Sequence, residues 1–167
     1  MKYLATIFIL QFCTTAILSC NCGNEISTVK DNINYSDIVV SGIVLSQTVT
    51  ADLKAFATVV GDTNDYHYKL TKYPLKIVRL KIVTLFKGQV SSDTLTIITA
   101  VNGAGCGVRF EIGKHYIIYG TNKDSFIRSD KLIRKSLNNN VYWTHSCTRT
   151  APWYCDEESE IIKQTKK

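Results

Sequence analysis

The sequence predicts a small, mainly β domain, a barrel or a sandwich, with a helix near each end of the chain. Three observations predict it. Runs rich in Ile, Val, Thr and Tyr recur between residues 37 and 143, each bounded by Gly, Asn or Asp. The best of them alternates apolar and basic side chains, the signature of a strand with one dry and one wet face. Helical spacing shows only in two short stretches, after residue 27 and after residue 155. The 167 residues suit one domain, and a 45% hydrophobic content is enough to build its core. No internal repeat and no low-complexity tract interrupts it.

In chain order, Ser27 is a candidate cap for a short helix through about Tyr35, with Val29 and Ile33 on one face. DIVVSGIVLSQ (37–47) reads as a strand. Residues 48–67 contain Gly61, Asp62, Asn64 and Asp65 and predict a long hairpin loop, with strand extensions at its ends left open. In LKIVRLKIVTLFKG (75–88), Val78, Leu80 and Ile82 alternate with Arg79 and Lys81, and Gly88 ends the strand. DTLTIITA (93–100) is the next strand. A glycine-rich loop follows, Asn102-Gly103-Ala104-Gly105-Cys106-Gly107, which permits positive φ and close backbone approach. KHYIIYGT (114–121) is another strand, and weaker β signals lie at Phe126–Ile127 and Val141–Trp143. CDEESEIIKQTKK (155–167) places acids first and lysines last, the order a helix dipole favours.

The chain starts with MKYLATIFILQFCTTAILS (1–19), a single Lys2 followed by an apolar run too short for a membrane span. This reads as an export signal, leaving a single domain over residues 20–167. Export makes the cysteines disulfide candidates. Of the six, Cys13 leaves with the signal, and Cys20, Cys22, Cys106, Cys147 and Cys155 remain. The odd number leaves one free, modified or joined to another chain. The net charge of +6 is spread without a basic block. It reads as a solvated surface, with a polyanion or an anionic membrane as the sharper alternative and no nucleic-acid partner.

No enzyme signature appears, and the expectation is a non-enzyme without a cofactor. His67, His115 and His145 are scattered, and no HExxH, GxSxG or P-loop is present. Tyr66-His67-Tyr68 reads as an exposed loop or strand edge. His145 near Cys147 raises nucleophilic Cys–His chemistry, set against a bridged cysteine. Cys20-Asn21-Cys22 is tighter than the usual structural zinc spacing, so no metal of the chain's own is expected. Asn34-Tyr35-Ser36 is a glycosylation sequon, relevant only in a glycosylating host.

Several stretches together resemble the N-terminal inhibitory domain of the tissue inhibitors of metalloproteinases, within the netrin-like group. They are the mature start Cys20-Asn21-Cys22, the DIVVSGIVL strand, Thr84-Leu85-Phe86-Lys87-Gly88, Cys106-Gly107, Gly113 with Lys114-His115-Tyr116-Ile117-Ile118-Tyr119, and Cys147-Thr148-Arg149-Thr150-Ala151-Pro152-Trp153. The set spans nearly all of residues 20–167. The resemblance implies an OB-type, five-stranded Greek-key barrel with flanking helices, stapled by disulfides. It further implies the pairs Cys20–Cys106 and Cys22–Cys147, each worth roughly 2–4 kcal/mol. Cys155 is left over, and the second domain of the animal inhibitors is absent. The Thr144-His145-Ser146-Cys147-Thr148-Arg149-Thr150 stretch is closer to bacterial members of the group.

The activity so implied is inhibition of a zinc metalloendopeptidase. A catalytic zinc keeps one position for water. The α-amine and carbonyl of Cys20 form a five-membered chelate that displaces this water. The amine has a pKa of about 7.7–8.0, so its neutral form is accessible near neutral pH. Asn21 would enter the specificity pocket. Cys22, Gly23 and the loop Ala104, Gly105, Cys106 and Gly107 would complete an inhibitory ridge. Asn21 stands where the animal inhibitors carry a small hydroxyl residue. Ile17-Leu18-Ser19-Cys20 also resembles a bacterial lipobox. Lipid and acyl groups on Cys20 would consume the amine and the thiol. The remaining Cys22, Cys106, Cys147 and Cys155 would then be even in number. Two readings follow: a secreted inhibitor, or a surface-anchored netrin-like binding module without inhibition.

Overall fold

The computed structural model describes residues 28–51, 74–101, 106–122 and 140–166. The elements are α1 (Val29–Tyr35), β1 (Ile38–Thr50), β2 (Leu75–Lys87), β3 (Thr94–Ala100), β4 (His115–Gly120), β5 (Val141–Trp143), β6 (Ala151–Pro152) and α2 (Cys155–Thr165). Helix α1 is capped one residue later than expected. Thr28 has extended backbone and accepts the Asp31 N–H. Val29 and Ile33 are buried as expected, together with Asn32.

Strand β1 continues through Thr50, so residues 48–50 form a strand extension at the start of the expected loop. Its pairing with β2 supplies the partner that local sequence did not reveal, Thr48 opposite Ile77 and Thr50 opposite Leu75. Residues 52–73, with Tyr66-His67-Tyr68, and the β signal at Phe126–Ile127 lie outside the described residues. In β2, Val78 and Leu80 are fully buried and Arg79 and Lys81 exposed, as the alternation predicts. Gly42 of β1 lies against β2, where an added Cβ would come within 2.6 Å of the Lys81 carbonyl oxygen and the Leu80 side chain.

The strands form one six-stranded mixed sheet in the order β5-β3-β2-β1-β4-β6. All neighbours are antiparallel except β3 and β5, where Thr96, Ile97 and Ile98 run parallel to Val141, Tyr142 and Trp143. This corrects the expected five-stranded barrel: the described sheet has six strands. The sixth strand, β6, pairs only through Pro152–Tyr116 and Ala151–Ile117. Two residues that include a proline are too short to stand out in the sequence, and an edge is where proline is tolerated. The sheet does not close. The three-residue β5 lies along β3 and reaches the β4 side by one antiparallel bridge, with Thr121 and Trp143 exchanging N–H···O bonds of 2.9 and 2.7 Å.

The two faces have different covers. One holds Ile38, Val40, Val44, Val78, Leu80, Leu95, Ile97 and Ile118, closed by Val108 and Phe110 from the segment before β4. The other packs Val39, Ile117 and Tyr119 against Val29 and Ile33 of α1 and Ile161 of α2. The Phe86-Lys87-Gly88 run is a structural device. Phe86 packs on the helix-covered cluster. The Lys87 ammonium donates to the Ile33 and Ser36 carbonyls, both at 2.6 Å, at the end of α1. Gly88 has φ +95°, and an added Cβ would meet the Asp37 carbonyl oxygen at 2.7 Å.

α2 starts at Cys155, as the charge order predicts, and carries Asp156, Glu157 and Glu158 in its first turn. The acid-first order was legible, but one acid is not at the surface. Glu157 is 4% exposed. It accepts from Tyr119 Oη at 2.7 Å, Arg149 Nε at 2.7 Å, Arg149 Nη2 and Tyr154 Oη at 2.9 Å. Burial pushes its carboxyl up, but the bonds from Arg149, Tyr119 and Tyr154 outweigh it and hold it below the ordinary value. The Arg149 N–H donates to Asn32 Oδ1 at 3.0 Å, so one cluster ties α1, α2, β4 and the segment before β6 together.

Candidate functional site: the Cys106–Cys147 ridge

The described part of the predicted ridge stands at the end of the sheet formed by Ala100 of β3 and Leu75 of β2. Cys106 and Gly107 are described; Cys20, Asn21, Cys22, Gly23, Ala104 and Gly105 are outside the described residues. Cys106 has φ +57°, a left-handed conformation that a non-glycine residue adopts at a cost. Gly107 follows because nothing larger fits. An added Cβ would sit 1.8 Å from the Ala100 carbonyl oxygen and 2.6 Å from its carbon.

Val108 then enters the core, and both of its backbone polar groups are met by buried side chains. Its N–H donates to Thr99 Oγ1 at 3.0 Å. Its carbonyl accepts from Lys76 Nζ at 3.4 Å. The segment is therefore held by side chains where no strand ladder reaches it. Lys76 is 7% exposed, and burial together with the neighbouring Arg109 lowers its pKa. Sequence reasoning missed both Thr99 and Lys76, which look like ordinary members of their strands.

Cys147 comes from a different part of the chain and arrives at the same place. The Ser146 N–H donates to the Cys106 carbonyl at 2.7 Å, joining the two cysteine-bearing segments directly. Cys106 and Cys147 are both disulfide-bonded, and Cys155 is a free, exposed thiol. The pairings expected with Cys20 and Cys22 involve residues outside the described set.

His145 shapes the turn that carries Cys147. Its Nδ1 accepts the Cys147 N–H at 3.2 Å, and its carbonyl accepts the Thr148 N–H at 3.0 Å. Burial lowers its pKa, which favours the neutral ring that this acceptor role needs. The proximity that raised Cys–His chemistry is thus a turn cap beside a bridged sulfur. Behind it, Thr144, Thr148 and Thr150 share a buried hydroxyl cluster, with Thr144 and Thr150 oxygens 2.7 Å apart. The Thr144 hydroxyl donates to the Tyr119 carbonyl at 3.0 Å, anchoring the turn to β4.

His115 is remote in role. It stacks on Trp153 with ring centroids 5.2 Å apart and planes 8° from parallel. Burial lowers its pKa while Glu158 opposes the shift. Trp153 Nε1 donates to Glu158 Oε2 at 2.7 Å. The stack docks the chain between β6 and α2 onto β4. Among the described residues, no three His, Cys, Asp or Glu side chains converge to hold a metal, and no helix is long and apolar enough to cross a membrane. What the arrangement does chemically is present rigid backbone at the end of a sheet, at the convergence of two bridged cysteines. The chain matches no protein-family model and no curated protein.

Proposed function

We propose that residues 20–167 form a secreted inhibitor of zinc metalloendopeptidases, in which the α-amine and carbonyl of Cys20 chelate the target's zinc. One observation carries the reading. Cys106 and Cys147, 41 positions apart by number, are joined through the 2.7 Å bond from Ser146 N–H to the Cys106 carbonyl, and both sulfurs are bridged. An amino-terminal Cys-x-Cys bonded to these two would be held as a short wedge against the Cys106–Gly107 ridge. Restraint of that kind lowers the ordering cost of binding. The strained Cys106 backbone and the clamp on Val108 support a ridge whose shape is set before a target arrives.

The sheet supports an OB-type reading of the fold. Its parallel β3–β5 pair and the Thr121–Trp143 bridge bring β5 between β3 and the β4 side, which suits the partly open form of such a fold.

The surface-anchored module draws on the Ile17-Leu18-Ser19-Cys20 stretch. Its supporting cysteine count weakens, because a free Cys155 no longer completes four paired cysteines once Cys20 is taken by lipid. The test is inhibition of a metalloendopeptidase panel by protein beginning at Cys20, beside the same protein acetylated at its amine. Inhibition lost on acetylation is expected. Failure of the unmodified protein across the panel rejects the inhibitor, and a diacyl or triacyl mass on Cys20 from the native host selects the anchored module.

A further inference from the structure

The underside of the ridge carries two cations that pair with no acid among the described residues. Lys76 is buried to 7% exposure, and among the described residues its ammonium makes one hydrogen bond, at 3.4 Å to the Val108 carbonyl. An ammonium has three N–H donors, so two of them meet no hydrogen-bond partner among the described residues. Arg109 follows Val108 directly, is exposed, and is close enough that its charge acts on Lys76. Neither forms an ion pair among the described residues. Glu111 is the nearest acid in sequence. Its charge acts on Tyr116, and among the described residues it forms an ion pair with neither cation.

Two like charges at a partly desolvated position repel, and burying an ammonium with one long hydrogen bond is costly. The cost falls at the same three residues, Gly107 to Arg109, that continue the ridge. The chain as a whole is also positive, at +6.

We propose that Lys76 and Arg109 form a cationic shoulder of the ridge that fits a partner with carboxylates on the rim of its cleft. This rests on the inhibitor reading and adds the kind of target: a metalloendopeptidase whose active-site rim is acidic. Arg109, at the surface, steers the approach. Lys76, beneath Val108, supplies a fixed positive potential at the contact. Complementary charge of this type acts mainly on the association rate, and salt screens it.

The test uses the full-length chain exported with its own leader, as wild type, Arg109→Glu and Lys76→Met. Association rates are measured with two zinc endopeptidases chosen for an acidic and a basic cleft rim, at low and high sodium chloride. For the acidic-rim enzyme, Arg109→Glu should slow association roughly 10-fold at low salt and less than about 2-fold at high salt. Lys76→Met, which keeps the buried stem, should slow it in the same direction. The basic-rim enzyme should associate more slowly with wild type than with Arg109→Glu. Inhibition with rates indifferent to salt and to Arg109 overturns the shoulder and leaves the inhibitor standing. Absence of inhibition by wild type overturns both. Because Arg109 is exposed, its variant separates charge from folding even if Lys76→Met fails to fold.

Discussion

Replacing Glu157 by Gln removes one charge from the cluster that fastens α2 to the sheet. The carboxylate is 4% exposed and accepts four hydrogen bonds from Tyr119, Arg149 and Tyr154. Glutamine keeps one acceptor oxygen and turns an NH2 toward groups that are themselves donors. Removing one partner of a buried ion pair costs about 3–5 kcal/mol. The Arg149 side chain is 34% exposed and can recover some hydration, which puts the cost near the low end, about 3 kcal/mol. With a urea slope of about 2 kcal/mol/M, the midpoint of denaturation should fall on the order of 1.5 M. The pH dependence is a second readout. Glu157 is more acidic folded than unfolded, so its contribution is complete above its ordinary value of 4.5 and is lost as pH falls through its lower folded value. The gap between wild type and Glu157→Gln should hold from pH 7 to about 5 and narrow below the ordinary value. A midpoint shift under about 0.5 M at pH 7, or a gap unchanged at pH 3, would refute the reasoning.

Gly107→Ala should cost about 2–3 kcal/mol, since its Cβ lands 1.8 Å from the Ala100 oxygen. Gly113→Ala, at φ +80° in open space, should cost only about 1 kcal/mol, and urea melts of the two rank them. Thr144→Val removes a buried hydroxyl shared with Tyr119, Thr148 and Thr150 and should lower stability by about 1–2 kcal/mol in the same assay. Unreduced native protein treated with iodoacetamide should gain one adduct, mapped by mass spectrometry to the exposed thiol of Cys155. Inhibition should weaken about 10-fold per pH unit below the amine's ordinary range of about 7.7–8.0, because only the neutral amine can ligate zinc; inhibition constants over pH 5–9 check this.

Much of the sheet was legible because burial on one face writes itself into alternation. Val78, Leu80 and Ile82 of β2 and the β-branched run of β1 are examples. The end of β1 was legible only as an open alternative, since Thr48-Val49-Thr50 becomes a strand by pairing with residues 75–77, far away in sequence. β6 is defined wholly by tertiary contact with β4. Of the candidate site, Gly107 and the two cysteines could be singled out from residue type alone. Thr99 and Lys76 could not, because their role is to satisfy the backbone of Val108, and only folding brings it to them. The acids of α2 show the same limit. Charge order predicted the helix, whereas the partners that bury Glu157 come from β4 and the Arg149 segment.

The central claim is a nitrogen ligand placed on another protein's metal. The direct measurement is the visible absorption spectrum of a cobalt-substituted metalloendopeptidase, titrated with protein beginning at Cys20. Cobalt in such a site reports its ligand set through its colour, and replacement of bound water by an amine and a carbonyl changes it. The account predicts a spectral change that saturates with inhibition and is absent when the Cys20 amine is acetylated. Inhibition that leaves the cobalt spectrum unchanged, or that survives acetylation, would contradict it.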